Sequence, residues 1–147
     1  MIDACGVRLH VEEAGRGEPI VLLHGFTGSS RAMAGVAAGL SDTYRTFSID
    51  LVGHGRSAAP RDAADYSMAA CVAQLGAVLD SLDLREAHLI GYSMGGRVAL
   101  AFGVDHPARV RSALLIGASA GIRDEAQRQD RVRADEALAE RIEREGV

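Results

Sequence analysis

A serine between two glycines is the residue best suited to do chemistry in this chain. Residues 91–95 read G-Y-S-M-G; an apolar run at 87–91 predicts a buried strand before the serine, and a periodic stretch at 94–104 predicts a helix after it. A serine at so sharp a turn adopts strained backbone angles, and glycine neighbours avoid clashes with the adjoining strand and helix. We therefore predict that Ser93 is a catalytic serine that projects from the sheet. The alternative is a glycine-rich turn with a surface serine.

Two backbone amides are expected near this serine to stabilise negative charge. The helix that begins after Ser93 directs its free N–H groups and the positive end of its dipole at one point, so the Met94 N–H is one predicted oxyanion donor. The second donor is expected in the H-G-F-T-G-S loop (24–29), which follows a buried strand at 20–23, and we assign it to the Phe26 N–H. We interpret His24 as a structural imidazole that holds this loop by hydrogen bonds.

A third glycine-rich motif, D-L-V-G-H-G-R-S (50–57), follows a predicted strand at 44–49. Asp50 and Ser57 are expected to hold the loop through side-chain hydrogen bonds. His54 invites interpretation as the base of a catalytic triad, but in this chain order the base follows the nucleophile. The histidine downstream of Ser93 is His106, about a dozen residues along the predicted helix and therefore roughly 15 Å or more away. Neither histidine is predicted to act as the base.

The elements that must position these motifs form an α/β pattern. Short β-branched runs alternate with longer helical patterns, which indicates a mostly parallel sheet with flanking helices. Buried strands are predicted at 20–23, 44–49, 87–91 and 110–117, with an N-terminal hairpin (2–4 and 7–11) as an antiparallel edge. A helix at 68–82 carries apolar side chains on one face: Val72, Leu75, Val78, Leu79 and Leu82. The charged segment 123–145 predicts a mostly polar helix outside the core.

Composition excludes several classes of function. The 147 residues carry a net charge of −4, which gives no basic field to attract nucleic acid or an anionic membrane. No window has the roughly 18 apolar residues of a membrane span, and no basic leader precedes an apolar run. The two cysteines lack the spacing of a metal site or a disulfide framework. We therefore predict a cytoplasmic protein that acts on a small molecule without a metal or a cofactor.

Together, the motifs H-G-F-T-G-S, D-L-V-G-H-G-R-S and G-Y-S-M-G-G resemble those of the α/β-hydrolase superfamily in order and spacing. The extension S-M-G-G-R-V-A-L, the segment G-A-S-A-G-I (117–122) and the arginine-bearing helix after it are similar to one family, the 2-succinyl-6-hydroxy-2,4-cyclohexadiene-1-carboxylate (SHCHC) synthases of menaquinone biosynthesis. That family eliminates pyruvate from an enolpyruvyl cyclohexene carboxylate. The resemblance implies an α/β-hydrolase fold and carbon–oxygen lyase activity.

The resemblance also implies roles for individual side chains. Tyr92, Arg97 and Arg131 match substrate-contacting positions of the family, and Ser93 acts with a histidine and an aspartate to remove a ring proton. Arginine offers a planar fork to each carboxylate of such a polycarboxylate substrate, whereas a neutral ester would not need it. The alternatives are a helix-surface salt bridge for Arg97 and a solvated, charged helix face for Arg131.

The base and the acid that such a serine needs are expected downstream of Ser93, on strands and loops that residues 1–147 do not contain. We therefore expect the N-terminal portion of a longer enzyme. Residues 1–122 would form the hydrolase core, truncated before its last strands, and residues 123–147 would begin a helical cap. A serine esterase or hydrolase and a catalytically inactive fragment are the alternatives. The last strand would leave an unpaired sheet edge through which copies self-associate.

Overall fold

The computed structural model describes residues 1–146, which contain seven strands and four α-helices. The strands are β1 (Ile2–Ala4), β2 (Val7–Leu9), β3 (Val11–Gly15), β4 (Glu18–Leu23), β5 (Tyr44–Ile49), β6 (Ala87–Tyr92) and β7 (Val110–Ile116). The helices are α1 (Ala34–Leu40), α2 (Met68–Ser81), α3 (Met94–Asp105) and α4 (Glu125–Glu145). Val147, the last residue of the predicted cap segment, lies outside the described residues.

Five of the strands form one sheet in the order β3-β5-β4-β6-β7. The strands β5, β4, β6 and β7 pair in parallel, and β3 pairs with β5 in the antiparallel direction. This arrangement confirms the predicted α/β class and its mostly parallel sheet. The three sequence motifs follow β4, β5 and β6, and the carboxyl ends of parallel neighbours meet at one edge of a sheet. The topology therefore brings the three motifs to the same edge.

Alternate residues of β4 enter separate clusters on the two faces of the sheet. Val21 and Leu23 pack in the larger cluster with α2 and α3, whereas Ile20 and Leu22 pack against α1. The strand is therefore buried on both faces, as its unbroken apolar run predicts. The helical face predicted in α2 also packs in the larger cluster, with Leu82 half-buried and four residues fully buried: Val72, Leu75, Val78 and Leu79.

The N-terminal prediction needs two corrections. The hairpin forms as expected from β1 and β2, but it is a separate two-stranded sheet. The second strand ends at Leu9 rather than at residue 11, because the His10 N–H donates to the Ser57 hydroxyl (2.8 Å) and the chain leaves the hairpin there. The antiparallel edge of the main sheet is instead β3, which begins at Val11. An apolar, alternating sequence does not by itself say which sheet a strand joins.

The strand β7 lies at the opposite edge of the sheet and is largely exposed, which corrects the prediction of a fourth buried strand. Leu115 packs against the larger cluster, but Leu114 and Ile116 are 55% and 44% exposed. No strand within residues 1–146 pairs with the outer edge of β7. The apolar run therefore forms the predicted strand, but it has no outer neighbour in the described chain to bury it.

The charged helix predicted near the end of the chain is confirmed as α4. It begins after Asp124, whose side chain accepts a hydrogen bond from the Gln127 N–H (2.9 Å). The helix has no fully buried residue, and Leu138 and Ile142 are half-buried. No helix within residues 1–146 is both long and apolar enough to cross a membrane. The division into a core (1–122) and the beginning of a cap (123–147) remains a prediction.

Candidate active site

Ser93 lies at the turn between β6 and α3 in a backbone conformation that few non-glycine residues adopt. Its φ and ψ angles are 49° and −109°, where a Cβ atom is strained. The Ser93 N–H donates to the Ile116 carbonyl (2.8 Å), which anchors the turn to β7. The Ser93 carbonyl accepts from the Arg97 N–H (3.1 Å) and so begins α3. The sharp turn predicted from the G-Y-S-M-G sequence is therefore present.

Close packing requires glycine at three positions around the Ser93 turn. A Cβ at Gly91 would lie 2.5 Å from the Gly95 carbonyl oxygen, and a Cβ at Gly95 would lie 2.4 Å from the Leu23 carbonyl oxygen. A Cβ at Gly96 would lie 2.6 Å from the Ala118 Cβ. These contacts allow the start of α3 to press against the ends of β4 and β6. The free amides at the N-terminus of α3 are thereby held beside the serine.

The loop after β4 is fixed to the same turn. The Gly95 N–H donates to the His24 carbonyl (3.0 Å), and the His24 ring itself is fully buried. Its Nε2 accepts from the Leu51 N–H (3.0 Å), so Nδ1 carries the proton and donates to the Gly25 carbonyl (2.7 Å). Burial lowers the pKa of His24 and keeps the ring neutral. The interpretation of His24 as a structural residue is confirmed.

Asp50 holds the third motif in place. Its buried carboxylate accepts hydrogen bonds from the Ser30 N–H and from the Arg56 N–H (2.8 Å). Burial alone would raise the pKa of Asp50, but these N–H donors outweigh burial and the pKa is lowered. The Ser57 hydroxyl donates to the Asp50 carbonyl (2.6 Å), and a Cβ at Gly55 would lie only 2.3 Å from Asp50 Oδ2. The loop-holding roles predicted for Asp50 and Ser57 are confirmed.

A cavity of about 490 Å³ opens beside the Ser93 turn. Its lining brings together five of the six predicted site residues: Phe26, Ser93, Met94, Arg97 and Arg131. Tyr92, the sixth, is not among the lining residues. Its ring is half exposed and lies on the neighbouring loop, where a Cβ at Gly25 would come within 2.8 Å of Tyr92 Cδ1. The cavity therefore joins the predicted nucleophile, the two predicted oxyanion donors and the two arginines.

One face of α4 forms a wall of this cavity. Arg131, Asp135, Leu138 and Ile142 all line it, and their spacing of three or four positions places them on one side of the helix. The two half-buried apolar residues of α4 therefore face the cavity, while the remaining charged residues face solvent. Asp135 was not predicted as a site residue. The signal that the sequence offers is its position four residues after Arg131, which places the two side chains on the same face of a helix.

The charged side chains that line the cavity are two arginines and one aspartate. Arg97 forms no ion pair with any other residue of the described chain, so the surface salt bridge considered for it is absent there. Arg131 donates from Nε to both carboxylate oxygens of Asp135, each at 2.8 Å. The lining therefore carries an excess of one positive charge, which favours an anionic ligand.

His54 and His106 do not line the cavity that contains Ser93. His54 donates from Nδ1 to the Val52 carbonyl (2.9 Å), which uses its ring to shape the 50–57 loop. His106 caps the end of α3 opposite Ser93 and packs on Phe102, with 4.9 Å between the ring centroids. Both contacts agree with the expectation that neither histidine is the base.

Fold and site together define the family. The chain belongs to the alpha/beta hydrolase fold family, whose sequence pattern matches residues 18–141. A Bacillus subtilis (strain 168) protein assigned as a 2-succinyl-6-hydroxy-2,4-cyclohexadiene-1-carboxylate synthase is 38% identical over 144 residues, which are 97% of this chain and 52% of that protein. The 2-hydroxymuconate semialdehyde hydrolase of Pseudomonas sp. (strain CF600) is 37% identical over 124 residues, 82% of this chain and 43% of the hydrolase.

A solved structure extends the similarity to three dimensions. The meta-cleavage product hydrolase from Pseudomonas fluorescens IP01 superposes with a TM-score of 0.76 at 30% sequence identity. The match covers 84% of this chain and 46% of the hydrolase. The chain thus spans about half the length of the relatives it matches. These relatives include both a synthase and hydrolases, so the similarity identifies the family of the chain but not its reaction.

Proposed function

We propose that this chain carries the nucleophile and anion-binding part of an SHCHC synthase-like lyase, which eliminates pyruvate from an enolpyruvyl cyclohexene carboxylate. One observation carries the proposal: a single cavity contains Ser93, the loop of the proposed oxyanion donors and two arginines. A polycarboxylate substrate needs cations beside the reacting carbon, whereas a neutral ester does not. The 38% identity to the Bacillus subtilis protein assigned to this reaction supports the same conclusion.

In the proposed reaction, the base takes the Ser93 hydroxyl proton, the Ser93 oxygen takes a proton from a ring carbon of the substrate, and the electrons of the broken C–H bond move onto the conjugated carbonyl oxygen. The negative charge on this oxygen is stabilised by the N–H groups of Met94, at the start of α3, and of Phe26, in the loop after β4. The Gly95 N–H, which donates to the His24 carbonyl, joins these two segments. Met94 is the first residue of α3, so the helix dipole adds to this stabilisation. When these electrons return, a ring C=C bond forms and the C–O bond to the enolpyruvyl group breaks. The released enolate takes up a proton at its methylene carbon, in place of the one removed from the ring, and becomes pyruvate.

The two arginines are proposed to bind the carboxylates that remain on the ring and its succinyl arm. Arg97 lies one turn into α3 and has no protein counter-ion in the described chain, so its guanidinium is available to a ligand. Arg131 reaches the cavity from α4, which covers the site from another side. Tyr92 flanks the loop of the oxyanion donors, and we propose that its hydroxyl contacts the substrate at the rim.

The proton acceptor of Ser93 is proposed to come from outside the described residues. His24 uses both ring nitrogens in the loop, and neither His54 nor His106 lines the cavity. The relatives extend for about as many residues again as the match covers. A histidine and an aspartate from such a segment would complete the site, and without them the chain is expected to bind substrate but not to turn it over.

Product analysis tests this proposal. The chain, joined to a downstream segment that supplies the proposed histidine and aspartate, is incubated with the enolpyruvyl precursor, and pyruvate is measured with a coupled dehydrogenase. Ser93→Ala should abolish pyruvate release, and Arg97→Ala should weaken substrate binding by about ten- to a hundred-fold, the contribution of a charge-assisted pair. Arg123→Ala, outside the cavity lining, is the matched control. Pyruvate release that is unchanged in Arg97→Ala would remove the physical basis of the proposal.

A serine hydrolase is the second candidate, because relatives at 37% identity are hydrolases and the Ser93 turn suits acyl transfer equally well. A neutral p-nitrophenyl ester separates the two functions. A hydrolase would release p-nitrophenol at a rate that depends on Ser93 and not on Arg97. Binding of the anionic precursor without any product from either substrate, even when the downstream segment is joined, would instead identify a catalytically inactive chain.

A further inference from the structure

Asp135 shares the cavity with both arginines and contacts one of them. Its two carboxylate oxygens each lie 2.8 Å from Arg131 Nε, and the two side chains are about half exposed. Because Asp135 follows Arg131 by four positions, the helix itself brings the two groups together. The ion pair therefore lies on the cavity side of α4.

The contact uses only one edge of the guanidinium. Nε is the donor to both oxygens, and the Nη groups of Arg131 donate to no other residue within 1–146. An arginine presents its N–H donors in one rigid plane, so a hold at Nε fixes the direction in which the Nη groups point. A long arginine side chain otherwise loses rotamer freedom when a ligand binds, and this loss weakens binding.

We propose that Asp135 is a positioning residue that presents the Nη groups of Arg131 to one carboxylate of a dicarboxylate ligand while Arg97 binds the other. The inference rests on the proposed function, because it takes the Ser93 cavity as the site of an anionic substrate. It makes Asp135 a determinant of specificity. A dicarboxylate gains from the prearranged second cation, whereas a monocarboxylate held at Arg97 does not.

A pure charge effect predicts the opposite sign. Asp135 is negative, so its removal would strengthen the binding of any anion by relieving Coulomb repulsion. That repulsion is screened by salt, with a Debye length of about 8 Å at physiological ionic strength and less above it. The direct contact between Asp135 and Arg131, at 2.8 Å, lies well inside this length and is screened less. The sign of the change in affinity at elevated salt therefore separates positioning from charge.

The chain offers a matched control for this test. Asp130 lies on the same helix and pairs with Arg133 three positions later, in an ion pair that is somewhat more exposed than that of Arg131 and Asp135. It does not line the cavity. Asp130→Ala therefore removes the same charge and a comparable helix contact from α4 without touching Arg131. The difference between Asp135→Ala and Asp130→Ala isolates the positioning of Arg131.

The experiment titrates the 147-residue chain with glutarate and with butyrate, followed by NMR chemical shifts in about 0.3 M salt. Asp135→Ala is expected to bind glutarate about three- to ten-fold more weakly than Asp130→Ala, as one newly mobile arginine implies. Butyrate binding should be the same in both variants. Asp135→Asn keeps an acceptor for Nε and should recover most of the lost glutarate affinity. Circular dichroism checks that α4 stays helical in each variant.

The outcomes separate this inference from the function on which it rests. Equal glutarate affinity in the two alanine variants, or tighter binding by Asp135→Ala, overturns the role of Asp135. If Arg97→Ala and Arg131→Ala still weaken glutarate binding in that case, the anionic site itself stands. If the wild-type chain shows no glutarate binding that depends on these arginines, the proposed function fails together with the inference.

Discussion

Replacing Ser93 with glycine is expected to make the protein more stable while it removes the proposed nucleophile. Ser93 has a φ of 49° and a ψ of −109°, a region that is comfortable only for glycine. Such strain costs about 1–3 kcal/mol, and glycine gives back about 0.5–1 kcal/mol through the greater entropy of its unfolded chain. The net expectation for Ser93→Gly is an increase of about 1 kcal/mol in the free energy of unfolding.

Urea unfolding of the 147-residue chain, followed by circular dichroism, measures this change. Ser93→Ala keeps a Cβ and therefore the strain, so it should unfold within about 0.5 kcal/mol of the wild type. Ser81→Gly, at the end of α2 where φ is not positive, should lower stability by about 0.5 kcal/mol and so shows that glycine is not stabilising in general. A Ser93→Gly variant no more stable than Ser93→Ala would refute the view that the turn stores strain.

Three further perturbations test other parts of the structure. In urea titrations, Gly95→Ala should lower the free energy of unfolding by about 3 kcal/mol, because its Cβ would lie 2.4 Å from a backbone carbonyl oxygen. The control Gly35→Ala, whose Cβ would have no atom within 4 Å, should raise the free energy of unfolding by about 0.5–1 kcal/mol. Equal effects of the two substitutions would contradict the argument from close packing at Gly95. Acid should destabilise the fold in two steps, because His24 and Asp50 both have a lower pKa in the folded than in the unfolded chain, so the unfolded chain takes up the proton first. The first step begins below about pH 6.5, the ordinary pKa of histidine, and the second below about pH 3.8, the ordinary pKa of aspartate. Urea midpoints measured as a function of pH should fall less at the lower-pH step in Asp50→Asn than in the wild type. If the fall is the same in both, other carboxylates are responsible for that step. Sedimentation should show self-association of the chain that Leu114→Lys weakens. Equal association of this variant and the wild type would show that the β7 edge is not the surface through which copies associate.

The sequence predicts best those features that depend on residues close together along the chain. The Ser93 turn follows from glycines that lie within five positions of one another, and the structure shows that each is forced by a contact below 3 Å. The strand β4 follows from an unbroken apolar run, and the helix α2 follows from apolar residues that repeat with the helical period. In both cases the information lies within one element and its adjoining turn.

Features that depend on a distant partner were predicted poorly. The apolar run of β7 predicts burial, but burial needs a neighbour on the outer edge, which the described chain lacks. The helix α1 was missed because its sequence, A-G-V-A-A-G-L, contains two glycines and no polar face from which a period could be read. Asp135 was missed for a related reason. It belongs to the site only because α4 lies across the cavity, and nothing in the charge pattern of that helix indicates which face does so.

The contacts that hold Ser93 in position come from inside the described chain. Substrate binding and charge stabilisation can therefore be tested apart from proton removal, the other part of the proposed reaction. The Ser93 turn is tied to β7 by the Ile116 carbonyl and to the loop after β4 by the His24 carbonyl. The proposed nucleophile and the loop of the proposed oxyanion donor Phe26 are therefore assembled without any residue that would remove a proton. The cavity wall that carries the two arginines proposed to bind anions, contributed by α3 and α4, is likewise present. Substrate binding and charge stabilisation should then persist where turnover does not, so a dicarboxylate that binds in an Arg97-dependent manner without reacting is what this architecture predicts.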